Sequence, residues 1–276
     1  MFLLKNLFIG LLVFALLIVY MLFPRTANRK KLLNRFKGTH FAHRGYHCIE
    51  NGVPENSIPA FENAIANGYG IELDVHLTKD QRLVVFHDDT LDRICGKDGT
   101  VEAHTATELS TCRLSGTKEK IPLFEDVLSL VDGKVPLLIE LKIPGRSTAI
   151  CCHVQEMLAH YKGDYMVQSF NTMGLVWYRL HAPKVLRGQL SSRLTKDDLK
   201  ESFFLRFLVE NLLLNFLGRP DFISYKLKDL PKYSVRFLIS FLHTPTAVWT
   251  LQTPEALQKG ICKFDMQIFE KHSEIY

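Results

Sequence analysis

Two carboxylates stand two residues apart in an otherwise apolar segment. Glu72 and Asp74 alternate with Leu73 and Val75, and residues two apart on a β-strand point to the same face. Two carboxylates that face the inside of a fold repel each other and lose solvation, and a divalent cation relieves both problems. Their oxygens suit Mg²⁺ or Ca²⁺. We therefore expect one divalent cation here, although an exposed polar strand face would also explain this motif taken alone.

A third carboxylate ends another apolar run. Glu140 follows the apolar stretch 135–139, and Lys142 lies two residues further on. Glu140 is a candidate third ligand. Lys142, on the same strand face, would compensate negative charge on the metal ligands or on a substrate. A surface ion pair is the alternative for this motif alone.

Two histidine motifs also end apolar runs. They are His43-Arg44-Gly45 and His87-Asp88. A phosphodiester needs a base to activate the nucleophile and an acid to protonate the leaving alkoxide, and histidine suits both tasks near neutral pH. A guanidinium binds phosphate well, and Gly45 allows a close backbone approach. A single histidine is more often structural, but all four motifs at predicted strand ends together indicate a catalytic site.

These motifs need a scaffold that brings strand ends together. Strands are predicted near positions 41 and 71 and over 136–141, 165–169, 185–190, 222–224, 247–251 and 265–269. Helices are predicted over 57–67, 106–112, 122–131, 147–160, 171–181, 198–217, 230–241 and 254–260. Eight alternating strands and helices predict an α/β fold, a closed (β/α)8 TIM barrel whose strand ends carry the active site. A doubly wound open sheet is the alternative, but no G-x-G-x-x-G follows the first strand.

The apolar run 83–86 is predicted to be a hairpin arm. Only the short turn 78–81 separates it from the strand near 71, and a parallel crossover needs about a dozen residues or more. It is therefore not counted among the barrel strands.

The chain begins with a candidate membrane segment. Residues 7–23 are an unbroken apolar run, close to the roughly 17–25 residues that span a bilayer. A cleaved signal peptide is the alternative, but no small-x-small site follows. We expect a transmembrane anchor over 1–24, a basic linker over 25–38 and a catalytic domain over 39–276. Six basic residues follow the run and one precedes it, which predicts a single-pass protein of the cell membrane with a cytoplasmic catalytic domain.

Charge and cysteine content exclude some partners. The net charge is +5, part of it in the linker, and no basic stripe for nucleic acid remains. A basic segment beside an apolar one indicates an anionic lipid surface. The six cysteines form no CxxC motif, which favours a reduced compartment. The sequence does not indicate an oligomeric state.

Segment 203–217 is unusually apolar. Its polar residues are only Arg206, Glu210, Asn211 and Asn215, a narrow stripe at helical spacing. Two interpretations remain open: an outer barrel helix packed on its neighbours, or a helix whose excess apolar face touches the membrane.

Together, the motifs HRG, EN, ELDVHLTKD, VVFHD, ELK and QSF, with a late Trp249, resemble the glycerophosphodiester phosphodiesterase family in its bacterial-type form. The resemblance covers about residues 39–270 and implies a TIM barrel of the PLC-like phosphodiesterase type. Gln252 departs from the Asn that is usual in this family, and the chain leaves little room for a final helix after Glu270.

The resemblance implies roles for particular residues. His43 and His87 would be the acid–base pair, and Glu72, Asp74 and Glu140 would bind the metal. Arg44, Asn56, Lys142 and Trp249 would contact or shape the substrate site. The implied reaction releases glycerol 3-phosphate and an alcohol through a cyclic phosphate.

Three other functions remain open. The same site would serve a lysophospholipase D acting on membrane lysophospholipids. A non-catalytic, membrane-tethered binding protein could share the fold, but it would not need both histidines and all three carboxylates. A metal-dependent sugar isomerase does not explain paired histidines at strand ends.

Overall fold

A computed structural model of the chain describes residues 2–25, 29–197 and 201–270. Within these ranges one nine-stranded sheet is surrounded by helices. The strands are β1 (His40–Ala42), β2 (Gly70–Leu77), β3 (Leu83–Val85), β4 (Leu137–Leu141), β5 (Tyr165–Ser169), β6 (Arg187–Ser191), β7 (Phe222–Lys226), β8 (Thr246–Leu251) and β9 (Met266–Phe269). The helices are α1 (Phe2–Leu22), α2 (Lys30–Leu33), α3 (Ile58–Ala66), α4 (Asp92–Cys95), α5 (Ala106–Leu109), α6 (Phe124–Val131), α7 (Ala149–Leu158), α8 (Thr172–His181), α9 (Phe203–Glu210), α10 (Asn215–Gly218), α11 (Tyr233–Ser240) and α12 (Pro254–Lys263).

The sheet closes on itself. β1 pairs in parallel with both β2 and β9, so eight parallel strands form the predicted (β/α)8 barrel. β3 pairs antiparallel with β2, with Val75 opposite Val85, which confirms the hairpin arm. Most strand residues are buried on both faces, as expected when side chains fill the barrel and helices cover its outside.

Residues between the apolar helix and β1 close one end of the barrel. Leu33 and Phe36 are buried against Phe41, Leu138 and Met166. This end is the N-terminal edge, where the parallel strands begin. The linker therefore covers the bottom of the barrel, and the strand ends that carry the polar motifs lie at the opposite, C-terminal edge.

The basic residues of the linker bind the barrel itself. Arg35 pairs with Asp164 at 2.9 Å, Lys37 with Asp265 at 3.6 Å and Arg29 with Asp221 at 3.5 Å. Arg25 Nη1 donates to the carbonyl of Pro183 at 2.7 Å. Four of the six basic linker residues thus contact carboxylates or carbonyls at the N-terminal edge, and the anionic lipid surface expected from the sequence stays a prediction.

The predicted helix 198–217 is wrong as one helix. Its residues 198–200 lie outside the described residues, and the rest divides into α9 and α10. Leu212 interrupts the helix with a positive φ of 59°. Leu212 and Leu213 are buried beside Leu22 and Tyr225, and their burial offsets the strain at the break.

The N-terminal helix α1 is long and apolar enough to cross a membrane, and a signal sequence would pass the same test. Its last turn packs on the barrel, where Leu22 is buried among residues of β7, α11 and the segment between α9 and α10. Asn215 Nδ2 donates to the Leu22 carbonyl at 3.2 Å. The end of this helix is therefore part of the folded domain.

Candidate active site

The barrel interior has an apolar layer below and a polar layer above. Phe41, Leu138, Met166, Phe222, Ala247 and Ile268 belong to the apolar layer near the N-terminal edge. The residue two positions later in each strand points the same way. These residues are His43, Glu140, Gln168, Ser224, Trp249 and Glu270. The inward-facing positions are therefore apolar near the N-terminal edge and mostly polar at the C-terminal mouth of the barrel.

The predicted metal ligands come together in this upper layer. β2 and β4 pair with Asp74 opposite Glu140, and Glu72 lies two residues before Asp74. Oxygens of all three carboxylates lie within 4.8 Å of one another, and all three residues are buried.

Two cations partly balance this cluster. Lys142 Nζ lies 2.6 Å from Glu140 Oε1 and 3.0 Å from Asp74 Oδ1, while Arg44 Nε is 3.8 Å from Asp74 Oδ2. Burial and the two neighbouring carboxylates raise the pKa of Glu72 well above its usual value. Burial also favours a higher pKa for Asp74, but Lys142, His87 and Arg44 outweigh it and hold that pKa far below the usual range. Burial and carboxylate repulsion, which raise the pKa of Glu72, are the two conditions that a divalent cation would relieve.

The cluster fits a hard divalent cation. All three predicted ligands offer oxygen atoms, which Mg²⁺ and Ca²⁺ prefer. Two buried amide oxygens, Asn56 Oδ1 and Gln168 Oε1, have no hydrogen-bond partner among the described residues. Their amide nitrogens donate to Asp74 at 2.9 Å and to Glu72 at 3.3 Å. Asn56 and Gln168 therefore orient the ligands next to unused acceptor oxygens.

The turn after β1 positions Arg44 against the carboxylates. Arg44 N donates to Glu72 Oε2 at 3.1 Å, and Asn56 N donates to the Arg44 carbonyl at 2.8 Å. Arg44 and Asn56 both have positive φ, 56° and 51°, a conformation that non-glycine residues seldom adopt. At Gly45, a Cβ would lie 2.9 Å from Ala60 Cβ, so the turn requires glycine.

The partner of His43 is Glu270, which directly follows the last strand, β9. Its Nδ1 lies 2.7 Å from Glu270 Oε1, and Gln252 Nε2 donates to Glu270 Oε2 at 2.7 Å. Burial lowers the pKa of His43, and the hydrogen bond to Glu270 partly offsets this. Burial opposes ionisation of Glu270, but its contacts with His43 bring its pKa down to about 2. An ionised Glu270 thus accepts a hydrogen bond from Nδ1–H, which leaves Nε2 free for a reactant.

The partner of His87 is the adjacent residue, Asp88, in the same loop. Its Nδ1 lies 2.5 Å from Asp88 Oδ1, and Arg93 Nε donates to Asp88 Oδ2 at 2.6 Å. Arg93 also donates to both oxygens of Glu55 at 2.8–2.9 Å. Glu55 in turn accepts from Arg44 Nη1 at 2.7 Å. One chain of charges therefore joins the second histidine to the predicted phosphate-binding arginine.

Trp249 lies at the wall of the mouth. Its ring meets Phe170 edge-on with centroids 5.9 Å apart, and Lys226 Nζ is 5.7 Å from the Trp249 centroid. The ammonium over the ring is within cation–π range. Trp249, Phe170 and Lys226 thus form an aromatic and basic wall at the same edge of the barrel as the acidic cluster.

Every predicted site residue lies at this C-terminal edge. Strand-end reasoning overlooked Glu270, Gln252, Arg93 and Lys226 and left Asp88 without a role. Glu270 carried the same signal as the others, a carboxylate directly after an apolar strand. Arg93 lies in α4, after the strand, and carried no local signal.

Comparisons with known proteins agree with this geometry. A model of the "Glycerophosphoryl diester phosphodiesterase family" matches residues 43–255. A glycerophosphodiester phosphodiesterase of Bacillus altitudinis is 35% identical over 157 residues, which cover 52% of this chain and 63% of that protein. The first curated relatives are thus matched over somewhat less than two thirds of their length.

Two longer matches extend the likeness. Lysophospholipase D GDPD1 of Rattus norvegicus is 27% identical over 257 residues, covering 86% of this chain and 71% of that protein. The crystal structure of a glycerophosphodiester phosphodiesterase from Parabacteroides distasonis is 28% identical, with a TM-score of 0.65 over 84% of this chain and 92% of that one. The barrel fold is therefore shared with a solved glycerophosphodiester phosphodiesterase.

Proposed function

Because the chain belongs to the glycerophosphoryl diester phosphodiesterase family, we propose that it hydrolyses glycerophosphodiesters to glycerol 3-phosphate and an alcohol. The observation that carries this proposal is the meeting, at one barrel edge, of two carboxylate-held histidines and a buried three-carboxylate cluster. Acid–base groups move the protons in phosphodiester cleavage, and a bound cation stabilises the charge on the phosphoryl oxygens.

The carboxylate cluster would hold one divalent cation. Glu72, Asp74 and Glu140 are its ligands, and their donor set accepts Mg²⁺ or Ca²⁺. When bound, such a cation supplies Lewis-acid polarisation of phosphoryl oxygens. Arg44 and Lys142 contribute positive charge to the same place, where it stabilises the charge that develops on phosphorus-bound oxygen.

In the first step, the two histidines exchange protons with the substrate. One imidazole Nε2 takes the proton of the glycerol 2-hydroxyl, and that oxygen bonds to phosphorus. The bond from phosphorus to the other alcohol breaks, and the second histidine, as imidazolium, protonates the departing oxygen. The products are the free alcohol and a five-membered cyclic phosphate.

In the second step, the roles of the histidines reverse. The histidine that lost its proton takes one from water, whose oxygen bonds to phosphorus. The bond to the 2-oxygen breaks, and the other histidine returns its proton to that oxygen. Glycerol 3-phosphate leaves, and the histidines regain their starting protonation states.

The N-terminal helix would be a retained anchor. We propose an anchor over 1–24, a linker over 25–38 and a catalytic domain over 39–276 in the cytoplasm. The packing of Leu22 and the hydrogen bond from Asn215 support retention, because a removed segment would leave this apolar surface open. An epitope tag before Phe2 that persists on the mature protein would support this proposal, and its loss would contradict it.

Lysophospholipid is the second candidate substrate. The likeness to a lysophospholipase D over 86% of the chain and the apolar helix α1 favour it. Glycerophosphodiester and lysophospholipid share the glycerol and the phosphodiester, so the same residues would act on both.

The deciding experiment uses the full chain in detergent. Wild type is incubated with glycerophosphocholine, glycerophosphoethanolamine or lysophosphatidylcholine, and phosphorus NMR identifies glycerol 3-phosphate, cyclic phosphate or lysophosphatidate. His43→Ala and His87→Ala should each lose about 10²- to 10⁴-fold in kcat/KM. His181→Ala, on the exposed surface of α8, is the matched control and should keep wild-type activity.

The metal is tested in the same assay. A chelator should abolish turnover, and added Mg²⁺ or Ca²⁺ should restore it in wild type but not in Glu72→Ala. Turnover that survives chelation would contradict the metal role. A wild-type chain that cleaves none of these diesters would contradict the enzymatic proposal.

A further inference from the structure

Helix α9 exposes apolar residues and turns its charged residues toward the protein, the reverse of an ordinary surface helix. Phe203 and Phe204 are 62% and 68% exposed, and Leu205 and Phe207 are also exposed. Its charged residues point the other way. Glu210 is buried, where its carboxylate pairs with Lys232 and accepts from Thr195 N at 2.9 Å. A helix that buries its acid and exposes its phenylalanines loses solvation on one face and hydrophobic burial on the other.

Arg206 follows the same rule. Its guanidinium donates to the carbonyls of Leu194 and Asp197, in the loop that leads from β6 to α9. No charge of α9 therefore shields the phenylalanines. The exposed face of α9 is apolar without interruption over one and a half turns, from Phe203 to Phe207.

This face lies at the active-site edge of the barrel. The chain reaches α9 from the C-terminal end of β6, and Arg193 N in this connection donates to Asp229 Oδ2, just past the C-terminal end of β7, at 2.8 Å. Tyr233, which begins α11 beyond β7, is 92% exposed. Phe203, Phe204 and Tyr233 therefore lie at the same edge of the barrel as the strand ends that carry the histidines, on the side of β6 and β7.

The N-terminal helix runs toward the same edge. Leu22 O pairs with Asn215, Phe23 O with Arg219, and Arg25 N with Pro220. Residue numbers rise together along both segments, so α1 and α10 run parallel. The α9–α10 segment descends from the C-terminal edge to the start of β7. The exposed part of α1 that precedes Ile18 must therefore extend toward the C-terminal edge, where α9 begins.

We propose that Phe203, Phe204, Phe207 and Tyr233 form a bilayer-contacting surface that holds the active-site mouth against the membrane spanned by α1. A lipid bilayer is the occupant that continuity with α1 selects, because α1 and α9 border one apolar cluster through Leu22 and Leu208. Exposed aromatic rings at the end of a helix are suited to the boundary between headgroups and acyl chains. The proposal rests on retention of α1 but not on the reaction, since lipid contact is measured without turnover.

Photocrosslinking tests the surface in the full chain. p-Benzoylphenylalanine replaces Phe204 or Tyr233, one at a time, and the protein is reconstituted into phosphatidylethanolamine and phosphatidylglycerol vesicles with a trace of alkyne-tailed phosphatidylcholine. After illumination, lipid adducts on the chain are quantified on a denaturing gel through the alkyne. Both sites are exposed, so the substitutions should leave folding intact.

Two matched positions serve as controls. Phe241, 72% exposed, directly follows the last residue of α11 at the opposite edge of the barrel, and Leu180, 67% exposed, lies on α8. We expect several-fold more lipid adduct at positions 204 and 233 than at 241 and 180. Equal adduct at all four positions, or more at 241 than at 204, would overturn the proposed orientation. Adducts to a second protein chain at 204, in place of lipid, would assign this face to a protein interface instead.

Discussion

Each proposed catalytic histidine has its own set of hydrogen-bond partners: the His43 arm comprises His43, Glu270 and Gln252, and the His87 arm comprises His87, Asp88 and Arg93. Both histidines make the same kind of contact, but their carboxylate partners are stabilised by different groups. His43 and His87 each bind a carboxylate through Nδ1. The His43 side chain is 12% exposed, and its partner Glu270 accepts a hydrogen bond from the neutral amide of Gln252. The His87 side chain is 31% exposed, and its partner Asp88 accepts a hydrogen bond from the charged guanidinium of Arg93.

This difference separates an isolated arm from a coupled one. The described hydrogen bonds of the His43 arm run through Glu270 and Gln252 and end at exposed Lys228, whose Nζ donates to Gln252 Oε1 at 3.4 Å. The His87 arm continues through Arg93 and Glu55 to Arg44. A change in the second arm should therefore reach phosphate binding through this chain of hydrogen bonds, whereas a change at Gln252 or Glu270 should act mainly on proton transfer.

Loss of the carboxylate charge should lower kcat more in the His43 arm, whose imidazole is more buried, than in the His87 arm. Glu270→Gln is expected to lower kcat by about 10²- to 10⁴-fold, the range for an acid–base group or the carboxylate that orients it. Asp88→Asn should lose about tenfold less, since solvent near His87 replaces part of the lost stabilisation. Steady-state kinetics of both variants decide the order. A larger loss for Asp88→Asn would mean that the charge of Arg93 matters more than burial.

Coupling to the phosphate site should appear only in the His87 arm. A double-mutant cycle of Arg93→Gln with Arg44→Gln should show an interaction energy of about 1–3 kcal/mol in kcat/KM, as expected within one ion-pair network. The matching cycle of Gln252→Ala with Arg44→Gln should be additive within about 0.5 kcal/mol. Additivity in both cycles would show that the observed chain of contacts carries no energy.

The arms should also differ in acid stability. The pKa of Glu270 falls from 4.5 to about 2 on folding, so between these values the unfolded chain binds a proton that the folded chain does not. Stability is therefore lost as the pH falls from 4.5 toward 2, by at most about 3–4 kcal/mol. Urea unfolding of the full chain in detergent at several pH values measures this slope.

Glu270→Gln should remove the contribution of Glu270 to that slope between pH 4.5 and 2 and leave the contributions of the other carboxyls. Asp88→Asn should change stability at lower pH, because His87 and Arg93 overcome the burial of Asp88 and hold its pKa well below the usual range. Identical profiles for wild type and Glu270→Gln would show that the His43–Glu270 contact contributes nothing to folding.

The smallest effect concerns the amide behind Glu270. Gln252→Asn shortens the side chain by one methylene and should break the 2.7 Å contact with Glu270. Because the carboxylate keeps its bond to His43, we expect only a several-fold loss in kcat with KM unchanged. Gln252→Ala should match it. Full activity in both variants would mean that Gln252 does not orient Glu270.

Local sequence patterns predicted much of the fold. The strand-and-helix alternation specified eight parallel strands, and the short turn at 78–81 required a hairpin. The spacing of Glu72 and Asp74 placed both side chains on one face. These predictions succeed because side-chain alternation and turn length are properties of neighbouring residues.

The sequence by itself determined the strand-end residues, but only the tertiary structure decided their partners. Glu270 meets His43 across 227 residues, which requires β9 to pair with β1 as the barrel closes. The apolar composition of 203–217 was visible, but its outward face was set by distant contacts of Glu210 with Lys232 and of Asn215 with Leu22. Such pairings depend on closure of the whole barrel, and no local window of sequence contains both partners.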